Sequence, residues 1–108
     1  MTIPHGTILG GLSTLPELER GLAAYRDVLG LDLVEQGDLT EALAASWGCP
    51  ANAGSRYAVL RPKSGAPCWF RLVEQPDHPD FKPTTSYGWA AFETTVEDVW
   101  RWPEALPP

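Results

Sequence analysis

The chain has 108 residues, with eight Lys and Arg against 14 Asp and Glu and a formal net charge of -6. So few scattered cations form no basic stripe that could neutralise several phosphates, so DNA or RNA is a poor partner, and an acidic surface is a poor match for anionic lipid. At 44% hydrophobic and 20% charged residues, the composition is that of one small globular domain and not of a disordered chain.

In chain order, Gly6 to Leu12 is predicted as a first strand, with the Gly10–Gly11 pair marking close backbone approach or an open cavity floor. Leu15, Leu18, Leu22, Tyr25 and Leu29 recur at spacings of three and four, which predicts one apolar stripe on a helix. Thr14 is placed to cap it, Glu17 to complete a capping box, and Pro16 falls in the first turn. Gly30 supplies a left-handed stop. "LDLVEQG" then alternates as a strand, with Leu31 and Leu33 on one side and Asp32 and Val34 on the other. "DLTEALAASWG" predicts a short second helix capped by Asp38 and ended by Gly48. Its Trp47 reads as an anchor packing over the sheet.

Ser55 to Arg61 and Cys68 to Glu74 are strands around the turn "PKSGAP". A polar, proline-rich connection leads to "YGWAAFETT", another strand, and to "VEDVWRW", the opening of a further helix. Cys49 and Cys68 are far apart and in no Cys-x-x-Cys spacing, which fits two free thiols and neither a disulfide scaffold nor a zinc site. With no basic, apolar leader and no run of about 20 apolar residues, a cytoplasmic protein is expected. No Gly-x-Gly-x-x-Gly or phosphate-binding loop occurs, and neither His5 nor His78 sits on a firm element from which a Ser-His-Asp arrangement could be built.

"LPELERGLAAYRDVLGLDLVEQ" resembles the first module of the vicinal oxygen chelate superfamily, which contains glyoxalase I, bleomycin-resistance proteins, fosfomycin-resistance enzymes and ring-cleaving dioxygenases. The aromatic Tyr25 before Arg-Asp-Val-Leu-Gly carries the likeness, and "SYGWAAFETTVEDVWRW" looks like the start of a second module. The resemblance spans Thr7 to Trp102. It implies an α+β fold, a βαβββ module of the glyoxalase/bleomycin-resistance type with a curved mixed sheet. Residues 1–82 would form that module and residues 83–108 an incomplete second one. A bare sheet edge invites pairing, so a homodimer is expected, with Trp100 and Trp102 as interface anchors.

Metalloenzymes of this family take inward-pointing His or Glu ligands from three strands. Carried over position by position, the first ligand falls on Gly10, the next on Arg71, and the histidine expected after Gly88 is Trp89. Glycine has no donor and arginine is a permanent cation, so no metal and no cofactor is expected. Without a metal, the family's isomerase and dioxygenase chemistry lacks its electrophile. Glu74 and Glu93 remain as carboxylates, Glu74 on the strand face opposite Arg71.

Strand parity places Trp69, Arg71 and Val73 together. A cup is predicted from Arg71, Trp69, Trp89 and Tyr57, open over Gly10 and Gly11, for a small planar or anionic ligand. Three functions are compatible with this reading: a metal-independent small-molecule-binding module, a metal-dependent glyoxalase- or dioxygenase-like enzyme, and a self-associating structural module whose tryptophans plug the core.

Overall fold

The computed structural model describes residues 5–80 and 82, and every helix and strand in them belongs to the unit Met1–Pro76. The elements are β1 (Gly10–Leu15), α1 (Leu18–Leu22) continued by a π-helical segment (Ala23–Val28), β2 (Asp32–Asp38), α2 (Glu41–Ser46), a 3-10 turn (Pro50–Asn52), β3 (Arg56–Arg61) and β4 (Trp69–Glu74). They form a four-stranded mixed sheet in the order β1-β4-β3-β2, with β1 parallel to β4 and the other pairs antiparallel. The expected α+β architecture with β-α-β-β-β order is therefore present, with α2 inserted between β2 and β3. The expected second module, with Trp89, Trp100 and Trp102, lies outside the described residues.

Several local expectations are corrected. The first strand begins four residues later than predicted and runs through Thr14, which therefore cannot cap α1. The cap comes from across the sheet. The Leu18 N–H donates to Glu74 Oε2 at 2.9 Å, and Glu17, at the N-cap position, makes no side-chain cap. Arg56 joins this corner through ion pairs to Glu19 and, at 3.7 Å, to Glu74. Glu74 is thus committed to the helix start, which gives the carboxylate left over by the sequence a structural role.

Leu15 belongs to the strand end and not to the helical stripe, yet it packs on the same cluster as Leu18 and Leu22. Past Leu22 the helix widens. The Leu29 N–H donates to the Ala24 carbonyl, five residues back, at 3.0 Å. The wider turn breaks the three-and-four spacing, and Leu29 is left exposed. Gly30, at φ +74°, then reverses the chain into β2 with no long loop, as its position predicted.

In β2 the register shifts between Leu33 and Glu35. This irregularity leaves Val34 exposed and puts Glu35 opposite Val59. α2 is capped by Thr40, whose Oγ1 accepts from the Leu43 N–H at 3.1 Å, while Asp38 ends β2.

The sheet separates two apolar layers. On one side Leu18 and Leu22 of α1 pack on Ala58, Leu60 and Leu72, with Tyr25 against Phe70 at 6.0 Å between ring centroids. On the other, Leu39 and Ala44 at α2 pack on Tyr57, Val59 and Val73. Alternation along β3 and β4 supplies both layers from the same strands, so their central residues are buried on both faces. No helix among the described residues is long and apolar enough to cross a membrane.

Candidate functional site

The α2 side of the sheet holds the residues the sequence singled out. β4 sends Trp69, Arg71 and Val73 to this face, and β3 sends Tyr57 and Val59, since Tyr57 pairs with Val73 and Val59 with Arg71. α2, inserted between β2 and β3, packs on this face through Ala44, and Trp47 at its C-terminus comes down on the strands. The Trp47 ring meets Tyr57 edge-on, with centroids 5.1 Å apart and planes at 88°. The Arg71 guanidinium carbon lies 4.2 Å from the Trp47 ring centroid and 4.0 Å from that of Trp69.

A continuous row of side chains results. Tyr57 Oη donates to Glu35 Oε1 at 3.0 Å; Tyr57 touches Trp47, Trp47 touches Arg71, and Arg71 touches Trp69. Burial, then the hydrogen bond and charge of Glu35, raise the Tyr57 phenol above its ordinary value. Tyr57 is 6% exposed and stays neutral at physiological pH. It supports Trp47 and is not free to meet a ligand.

Arg71 is a partly buried charge. Among the described residues the ion pairs are those of Arg56, and none joins Arg71 to a carboxylate. Two rings lie within cation–π distance of it. The guanidinium's fork of N–H donors suits an acceptor with two oxygens.

Of the two readings of the Gly10–Gly11 pair, Gly10 fits close approach and not an open cavity floor. Gly10 does face this side, beside Trp69 in the β1–β4 register. The space above it is filled, however, because an added Cβ would collide with the Trp69 indole and backbone. Gly10 is a seat for that ring and not an open floor. Gly11, the next residue on the strand, points to the α1 side and takes no part in the cup. Trp89, the other expected wall, lies outside the described residues.

The residue that sequence reasoning left out of the site is Trp47. It was legible as a helix anchor, but its contact with Arg71 depends on how α2 crosses the sheet. The signal available was that α1 takes one face of the sheet, which leaves the other for the apolar side of a second helix.

An open depression of about 530 Å3 lies at the end of the π-helical segment, lined by Arg26, Asp27, Leu31, Asp32, Leu33 and Lys63. Its charged residues are exposed and make no ion pair among the described residues. The Arg71 row is the better candidate, because there packing holds a charge in a fixed place. His78 is exposed, and its Nδ1 accepts from the Asp80 N–H at 3.1 Å. Among the described residues no three His, Cys, Asp or Glu side chains come together where they could hold a metal ion. Compared with protein-family models, curated proteins and solved structures, the chain shows no match.

Proposed function

We propose that this chain is a small-molecule-binding module of the vicinal-oxygen-chelate type, working without a metal and using Arg71 as the anchor for an anionic ligand. The observation that carries the reading is the placement of Arg71. It is a partly buried cation on the face opposite α1, flanked by Trp47 and Trp69, with no carboxylate partner among the described residues. A charge taken from water needs a counter-charge or hydrogen-bond acceptors, and a bound anion supplies both. The βαβββ order and the mixed β1-β4-β3-β2 sheet fit the family architecture. The metal-dependent alternative would need donors where this chain has Gly10 and Arg71.

The module is further proposed to act as a homodimer. The outer edge of β1 has no partner strand among the described residues and carries no charged residue, so it lacks the usual protection against pairing.

Native mass spectrometry with metal analysis on the same freshly purified sample tests both parts. A dimer with no stoichiometric metal, which binds at least one member of a panel of carboxylates, sulfonates and phosphates, is the expected result. One zinc, nickel, iron or manganese ion per chain, or failure to bind any anion of the panel, would overturn the reading.

A further inference from the structure

The two sides of Arg71 differ. Toward β2 the face is closed, because Trp47 lies on Tyr57 and Tyr57 is tied to Glu35. Toward β1, past the Trp69 ring over Gly10, the face is less covered by the described residues. Leu12 is the register neighbour of Arg71 and Thr14 that of Val73, and both are exposed, Leu12 at 37%. Paired residues of adjacent strands share a face at roughly 5 Å spacing. A leucine side chain, more than a third of it exposed, therefore stands beside Arg71 on this face.

Charge narrows the ligand further. Arg71 is one cation on a chain of net charge -6, with Glu35 on the same face. One guanidinium balances one negative charge, and the surrounding field opposes a second.

Resting on the proposed anion-binding reading, we infer that the ligand is a monoanionic carboxylate with a short apolar body, its two oxygens on the Arg71 fork and its body lying over Leu12 toward β1. Phosphate dianions and dicarboxylates are disfavoured by charge. Acetate has the right head group but nothing to cover Leu12. Each methylene removed from water strengthens binding roughly fourfold. Covering about two of them on a partly exposed face makes hexanoate bind about 15-fold tighter than acetate.

The test is calorimetric titration of the full chain with acetate, hexanoate and inorganic phosphate, repeated on Leu12→Ser and Arg71→Gln. Expected are hexanoate tighter than acetate by about 15-fold, phosphate weakest, a ratio falling toward unity in Leu12→Ser, and loss of both carboxylates in Arg71→Gln. Equal binding of acetate and hexanoate, or phosphate as the tightest ligand, overturns the inference while leaving anion binding at Arg71 intact. Carboxylate binding that Arg71→Gln does not weaken overturns the anion-binding reading itself. If Leu12→Ser keeps the full hexanoate preference but changes the sedimentation coefficient, Leu12 serves a protein contact and the inference fails. Far-ultraviolet circular dichroism of each variant establishes that it is folded before its titration is read.

Discussion

Replacing Arg71 by Met separates a structural from a binding role for the row of side chains on the α2 side. Methionine keeps most of the aliphatic bulk between Trp47 and Trp69 and removes the charge. The guanidinium carbon is 4.2 and 4.0 Å from the two ring centroids, and a cation–π contact at a partly exposed site contributes about 0.5–1 kcal/mol. Two such contacts set the expected stability loss at about 1–2 kcal/mol, reduced by whatever desolvation the charge no longer suffers. Had Arg71 been held by a buried carboxylate, removing it would cost about 3–5 kcal/mol. Ligand binding should respond more strongly. Losing even one charge-assisted hydrogen bond of about 2 kcal/mol weakens a carboxylate roughly 30-fold. Urea denaturation followed by circular dichroism measures the first quantity and hexanoate calorimetry the second. An unaltered hexanoate affinity, or a stability loss above about 3 kcal/mol, would refute the reasoning.

Other outcomes follow from the same coordinates. Glu74→Ala removes the acceptor of the Leu18 N–H and should destabilise by about 1–2 kcal/mol, read as a lower melting temperature; Glu19→Ala, at an exposed pair, should change it little, and equal effects would count against the cross-sheet cap. Gly10→Ala forces the Trp69 ring and backbone to move, an overpacking cost of about 1–3 kcal/mol, and should shift the indole resonances in a two-dimensional NMR spectrum; an unchanged spectrum would contradict the seat. Tyr57 is raised by burial and by Glu35, and Tyr25 by burial alone. Their stabilising contribution is full below the unfolded tyrosine value of about 10 and is lost as pH rises through the higher folded values. Absorbance at about 295 nm should therefore show phenols titrating above pH 10, with the urea midpoint falling over the same interval; ordinary titration of every tyrosine would remove the argument.

How much of this was readable before any coordinates depended on sequence distance. Gly30 and Gly48 marked helix ends by a purely local property, a left-handed backbone. The two strands around "PKSGAP" were equally local. Leu15 misled because a strand end and the helix after it can feed one cluster at nearly helical spacing, so β1 was placed too early. The π-helical turn leaves no mark in a pattern judged against 3.6 residues per turn. The helix cap was invisible for a different reason. Glu74 is 56 residues from Leu18, while Thr14 and Glu17 offered a capping box that looked complete. In the candidate site, parity alone placed Trp69, Arg71 and Val73 together. The position of Trp47 against Arg71 and the seating of Trp69 over Gly10 required the β1–β4 register and the path of α2, neither of which any short window of residues contains.

That same long link governs how the unit forms during synthesis. Among the described residues β1 pairs with β4 alone, and α1 donates its opening N–H, that of Leu18, to Glu74, the last residue of β4. Of the described elements, β1 and α1 leave the ribosome before the others and must therefore wait for β4 before either is completed. Closing so long a loop carries an entropic cost that no local contact offsets first. A nascent chain halted anywhere before Trp69 would hold β1 as an unpaired, uncharged edge. Such a chain is a ready target for chaperones or for a neighbouring copy on the same message.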